Sequence, residues 1–307
     1  MPKIHIDRSI EINATPDKVF SALIDFNKWL IWSPWLITDP DADVTIAEDG
    51  KSYKWDGERV GSGNMQLIND IENKTVHFEL NFLKPWKSIA KTSFSLEEEN
   101  GVTRVTWSMN SGLPFFMFWM KRMMSAFVGA DYERGLDMLK SFVEEGEIAS
   151  KLDFDGISEF EGCKWIGVKT ECSLAIVATQ MQADFGMLWG FAEENKSLIS
   201  GNAFTIYNKW DIVKNKVSYV AALPVHDIPH DIPEQFMSGK RPKSRAYKLK
   251  HTGDYHHLGN AWSAGYAMMR NKEFKHNRRI KPFEVYLNNP SDTKPKKLVT
   301  VVHFPVK

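Results

Sequence analysis

Hydrophobic and polar residues alternate at the start of the chain. Ile4, Ile6, Ile10 and Ile12 are spaced by polar side chains, the period-two pattern of a half-buried strand. Ala14-Thr15-Pro16 then opens a helix, with Thr15 as its cap and Pro16 in the first turn, where a missing N–H costs nothing. From Val44 to Asn110, short β-type runs are cut by Glu48-Asp49-Gly50, Gly61-Ser62-Gly63, Glu72-Asn73-Lys74, Lys84-Pro85 and Glu99-Asn100-Gly101. These turn signals predict an antiparallel meander. After Gly112-Leu113-Pro114 the period becomes helical. Phe116, Met120, Met124 and Phe127 form one stripe, which Met117, Met123, Leu136, Leu139 and Phe142 widen. A curved sheet closed by one long helix cannot bring its layers into contact everywhere, so a pocket is expected between them. Trp29, Trp32 and Trp35 are expected either at its mouth or packing a short helix on the sheet.

Between Glu144 and Gly162 the chain turns polar and acidic, and Lys151-Leu152-Asp153-Phe154-Asp155-Gly156 breaks the helical period, which marks a linker. Two domains are expected, residues 1–148 and 158–307. The second contains an internal repeat. Phe204-Thr205-Ile206-Tyr207-Asn208 is echoed by Phe283-Glu284-Val285-Tyr286-Leu287-Asn288, and Leu223-Pro224-Val225 by Phe304-Pro305-Val306. A strand (Lys164 to Glu171) and a helix with Phe185, Leu188, Trp189 and Ala192 precede the first copy. A strand (Arg245 to His251) and a helix with Leu258, Trp262, Tyr266 and Met269 precede the second. The fold class is therefore α+β, with a duplicated βαββ second domain whose two helices share one sheet face. Because side chains alternate along a strand, Phe283, Val285 and Leu287 are expected beneath the helices. Glu284, Tyr286, Thr205 and Tyr207 would then meet on the opposite, bare face.

Composition narrows the function. Thirty-nine basic and 39 acidic residues give no net charge and no field to attract nucleic acid. Cys163 and Cys172 match neither a disulfide framework nor a zinc spacing, and read as reduced. Charges at Lys3, Asp7 and Arg8 interrupt any signal-like segment. The most apolar segment, Leu113 to Met124, is interrupted by Lys121 and Arg122 and falls short of the roughly 20 residues that span a bilayer. A cytoplasmic protein without a membrane partner is expected. Contact of Pro114-Phe115-Phe116-Met117-Phe118-Trp119 with lipid is disfavoured, because the helix faces serving membrane and core would overlap. His226-Asp227-Ile228-Pro229-His230-Asp231 reads as a proline-rich loop, and His256-His257 as a helix start, so no metal is expected. Phosphate-binding glycine loops, dinucleotide fingerprints and nucleophile elbows are absent from the sequence, and no cofactor is expected.

Two family resemblances sharpen this picture. Ile10-Glu11-Ile12-Asn13-Ala14-Thr15-Pro16-Asp17-Lys18-Val19-Phe20, Trp29-Leu30-Ile31-Trp32-Ser33-Pro34-Trp35 and Tyr132-Glu133-Arg134-Gly135-Leu136 resemble the SRPBCC superfamily, with its START-like or polyketide-cyclase-like helix-grip fold. That likeness implies a fold rather than an activity. His251-Thr252-Gly253-Asp254-Tyr255, the helix around Ala261-Trp262, and Pro282-Phe283-Glu284-Val285-Tyr286-Leu287-Asn288-Asn289-Pro290 resemble the GyrI-like effector-binding domain of AraC-type and MerR-type regulators. This implies a small organic ligand held by Glu284, with Tyr207, Tyr255, Trp262 and Tyr286 around it. Many members carry a second acid on the last strand; Val301 stands there, with His303 two residues on. The leading expectation is a ligand-binding sensor or sequestering protein. One alternative is a hydrolase of reactive electrophiles, with Glu284 as general base and Tyr255 or Tyr286 polarising the substrate. Another is a domain that binds a protein partner, as gyrase-inhibitor-like domains can.

Overall fold

The computed structural model describes residues 3–112 and 115–307, without the side chains of residues 3 and 115–117. It divides into two units, Met1–Ala149 and Ser150–Lys307. The first unit runs β1 (Lys3–Ile12), α1 (Pro16–Ile24), α2 (Phe26–Trp32), β2 (Asp43–Ile46), β3 (Ser52–Gly57), β4 (Gly61–Ile71), β5 (Thr75–Lys84), β6 (Ser88–Glu99), β7 (Val102–Gly112) and α3 (Lys121–Glu145). Its seven strands form one antiparallel meander, β1-β7-β6-β5-β4-β3-β2. The chain reverses between β4 and β5 at Asn73 and between β6 and β7 at Asn100-Gly101, all with positive φ, where asparagine and glycine are tolerated best.

The α3 helix packs along β1 and ends at Gly146, whose left-handed φ of 77° lets its N–H reach the Phe142 carbonyl. The fully buried apolar side chains of α3 lie in its later part. Tyr132, Leu136, Met138 and Leu139 are buried, whereas Met123 and Phe127 are exposed. Of the stripe read from the sequence, the side chains of Phe116 and Met117 lie outside the described residues.

Aromatic rings pack together in the core of the first unit. Trp107 stacks on Tyr132 at 3.9 Å and Trp29 lies 4.2 Å from Trp32, measured between ring centroids. Three of the buried indole N–H groups have acceptors: Trp29 donates to the Leu23 carbonyl (2.6 Å), Trp32 to the Ala22 carbonyl (3.3 Å) and Trp107 to Thr92 Oγ1 (2.8 Å). Trp29 and Trp32 are therefore core residues whose polar edges are satisfied. Trp35, half-buried beside them, donates to Asp131.

The second unit runs β8 (Ser150–Phe160), β9 (Cys163–Cys172), α4 (Val177–Glu194), β10 (Phe204–Asp211), β11 (Lys216–Val225), β12 (Met237–Arg241), β13 (Ser244–Gly253), α5 (Gly259–Arg270), β14 (Phe283–Tyr286) and β15 (Val299–Pro305). Its sheet order is β12-β9-β11-β10-β14-β15-β13-β8. The repeat is visible in that order: β9-β11-β10 mirrors β13-β15-β14, and the copies meet where β10 pairs with β14. One expectation is corrected here. The segment read as a linker is mostly strand β8, paired with β13 from Ser150↔Gly253 to Phe160↔Ser244. Its acidic residues broke the helical period because they face water on an edge strand, where Asp153 pairs with Lys151 and Lys250.

Candidate functional site

The join of the two repeats places the site residues. Thr205 of β10 lies opposite Glu284 of β14, and Glu284 lies opposite Val302 of β15, which faces Leu249 of β13. Directly paired residues share a face. Val302 and Leu249 pack against Ala261, Ala264 and Met268 of α5, so Glu284 points toward the helices.

This reverses the expected facing. Phe283 was assigned to the helix side because it is apolar, yet it is fully buried on the other side, among Phe204, Trp165 and Phe160. His303 stacks on its ring at 4.3 Å and the Arg241 guanidinium lies 3.5 Å from its centroid. Arg241 ends β12 and Phe160 ends β8, the two opposite edge strands, and both reach Phe283 near the middle. The sheet therefore curls until its edges cover the face expected to be bare. Alternation cannot tell two buried faces apart. Leu287 lies beyond the end of β14 and is exposed.

Around Glu284 three donors converge. Tyr207 Oη donates to Oε2 at 3.0 Å, Tyr286 Oη to Oε2 at 2.8 Å, and Trp262 Nε1 to Oε1. Since the Tyr286 proton goes to Glu284, Thr205 Oγ1, 2.9 Å away, donates to the Tyr286 oxygen, making a relay of hydroxyls. Tyr255 completes the ring set, edge-on to Tyr286 at 5.8 Å, and Trp262 meets Tyr207 edge-on at 5.1 Å. The five expected residues, Glu284, Tyr286, Tyr207, Tyr255 and Trp262, are thus brought together, on the opposite face from the one read.

Glu284 is 2 % exposed, and among the described residues no Lys, Arg or His pairs with it. Burial raises its pKa, and the hydrogen bonds from Trp262, Tyr286 and Tyr207 pull it back down. Burial and then the Glu284 charge hold Tyr207 and Tyr286 well above the usual phenol value, and the same causes push Tyr255 up to about 12. All three hydroxyls therefore keep their protons at neutral pH.

Other residues were missed. Met181 of α4 has its sulfur 3.7 Å from Tyr286 Oη, and Phe185, one turn on, meets the Tyr286 ring at 5.4 Å. The repeat was the signal, since α4 is the counterpart of α5 and should approach the same seam. Asp184, buried between them, accepts from Tyr219 (2.6 Å), Thr170 (2.7 Å) and Gln180 (3.1 Å). Val301, given the place of a second acid, lies opposite Val285 on the far face from Glu284, and so does His303, opposite Phe283. Neither can reach the Glu284 carboxylate. Asp227 of the His226–Asp231 segment is ion-paired with Lys164.

A family model described as the GyrI-like small molecule binding domain matches residues 157–307, and one described as polyketide cyclase / dehydrase and lipid transport matches residues 3–144. The chain is an SRPBCC-type domain followed by a GyrI-like domain. Among solved structures, the EcmrR C-terminal domain is 16% identical, with 52% of this chain and 98% of that one covered and a TM-score of 0.42. SAV2435 bound to tetraphenylphosphonium is 16% identical, covering 50% and 94%, with a TM-score of 0.39. Protein CV1439 from Chromobacterium violaceum is 13% identical, covering 46% and 96%, with a TM-score of 0.36. No curated protein matches the chain. Within the GyrI-like domain, Glu284 and its three donors sit where the two βαββ copies meet. In neither domain is a described helix long and apolar enough to cross a membrane.

Proposed function

We propose that the GyrI-like domain captures a small aromatic or lipophilic molecule bearing a cationic or hydrogen-bond-donating group, with Glu284 as its polar anchor, so that the chain serves as a sensor or sequestering protein. One observation carries this reading: a buried carboxylate with three side-chain donors and no cation. Burying an ionised carboxylate without a counter-charge costs several kcal/mol, and hydrogen bonds offset only part of that. A cationic guest supplies what is missing. The rings of Tyr207, Tyr255, Trp262 and Tyr286 add cation–π attraction of about 0.5 to 2 kcal/mol each, and Met181 and Phe185 offer adaptable apolar contact. The family description, a small molecule binding domain, supports the same reading.

Hydrolysis is the weaker alternative. The hydrogen bonds from Trp262, Tyr286 and Tyr207 pull the Glu284 pKa down and so weaken it as a general base, while three accepted bonds leave a carboxylate one further site for a donor on a guest. Calorimetric titration of the full chain with a lipophilic cation such as tetraphenylphosphonium tests the binding reading. Saturable binding that Glu284→Ala weakens at least tenfold is expected. Equal binding by that variant, or none by the wild type across a panel of lipophilic cations, refutes it.

A further inference from the structure

One end of the first unit holds a group of large apolar side chains in water. Phe118, Trp119, Met123 and Phe127 are exposed at the start of α3 and in the turn before it, Trp119 by 68%. Leu83, Trp86 and Ile89 are exposed around the β5–β6 turn, Ile89 by 61%. Both groups belong to the same end of the sheet. Ala90 of β6 pairs with Ser111 of β7, and Ser111 Oγ lies 3.5 Å from the Ile89 carbonyl. The helical turn that leads into α3 begins at Phe115, three residues after β7 ends at Gly112, so the chain cannot carry it further than roughly 11 Å from that point.

The objection that core and lipid would compete for one helix face does not hold in the folded chain. Trp119, Met123 and Phe127 follow one another at four-residue spacing and face outward, while Met124 and Val128 pack toward the core and Tyr132, Leu136 and Leu139 continue that inner side. Charge adds a second observation. Residues 83–89 contain Lys84 and Lys87, residues 118–127 contain Lys121 and Arg122, and neither segment contains an acid, in a chain whose charges balance overall. Lys84 is ion-paired with Asp56 at 3.3 Å, whereas Lys87 and Lys121 are exposed.

We propose that this end of the first unit docks on the surface of a bilayer containing anionic phospholipid. Trp86, Trp119 and Phe127 enter the headgroup region, and Lys87 and Lys121 meet the lipid phosphates. Aromatic side chains bordered by cations have the composition of an interfacial membrane contact. A second copy of the chain fits less well, because a two-fold contact would set one cationic patch against another.

Co-sedimentation of the full chain with phosphatidylcholine vesicles, with and without phosphatidylserine, tests this. The wild type should pellet with the phosphatidylserine vesicles, less so as salt rises. Lys87→Gln with Lys121→Gln should lower partitioning about 25-fold, at about fivefold per charge. Trp119→Ser with Phe127→Ser should abolish it; both positions are exposed, and an unchanged circular dichroism spectrum would confirm the fold. The proposal fails if the wild type stays in the supernatant, or if the Trp119/Phe127 variant pellets equally. It also fails if the wild type is a dimer that this variant splits while neither protein pellets.

Discussion

Trp262→Phe isolates the claim that Glu284 is held as an anion by side-chain donors. The substitution keeps a ring on α5 but removes the Nε1 donor to Oε1. Two costs follow, and they differ in their dependence on pH. Lost packing is the same at every pH. The lost hydrogen bond matters only while the carboxylate is charged, and a bond to a charged group contributes about 1.5–3 kcal/mol.

The sign follows from the burial of Glu284. Its native pKa lies above the unfolded value, so in the wild type this group lowers stability as pH rises through the native pKa. Removing Trp262 raises that pKa further and deepens the loss. The destabilisation by Trp262→Phe should therefore be larger at pH 8 than at pH 4, below the ordinary carboxylate range, by up to about 1.5–3 kcal/mol. For a unit of this size that difference corresponds to about 3 to 12 °C in Tm. Urea or thermal unfolding of the full chain at both pH values, wild type against variant, reads it directly, and the histidine titrations common to both proteins cancel. Equal destabilisation at the two pH values would show that Glu284 is not held as a carboxylate by this donor.

Two further outcomes concern the frame around the site. Burial first, and then the charges of Lys248 and Arg241, lowers the His303 pKa to about 3; burial and then His257 lowers that of His251 to about 4. Both rings stay neutral in the fold but bind protons when unfolded, so their contribution is complete above about pH 6.5 and is lost as pH falls toward 4, by roughly 3 kcal/mol for His251 alone. Urea midpoints between pH 7 and pH 5 should fall, and His303→Leu should flatten the slope; an unchanged slope in that variant contradicts the assignment. Gly265→Ala in α5 would place a Cβ 2.1 Å from the Phe304 ring. A glycine replaced by alanine in an open helix gains about 1 kcal/mol, but here crowding should cost about 1–3 kcal/mol, and a raised Tm would disprove the close approach.

Much of this protein was legible in its local patterns. The turns at Asn73 and Asn100-Gly101 needed only asparagine and glycine at reversals, and the βαββ duplication needed only the echo of Phe204–Asn208 in Phe283–Asn288, so the repeated strands could be read, though the edge strands β8 and β12 could not. Tyr255 and Trp262 could be named only through the resemblance to the GyrI-like domain, whereas the repeat itself put Tyr207 beside Glu284 and Tyr286, with helices over one face of their strands. Which face was beyond that reading. Period-two alternation separates Glu284 from Phe283 but does not say what covers either one, and here both are buried, one under α5 and the other inside the curl that brings Arg241 and Phe160 together over Phe283. A similar limit hid the outward face of Trp119, Met123 and Phe127, since a stripe marks apolar side chains without marking their neighbours. Spacing along the chain is a local property and survives in the sequence, whereas burial depends on contacts between residues far apart in it. Only the folded arrangement could place the carboxylate between the helices and the sheet.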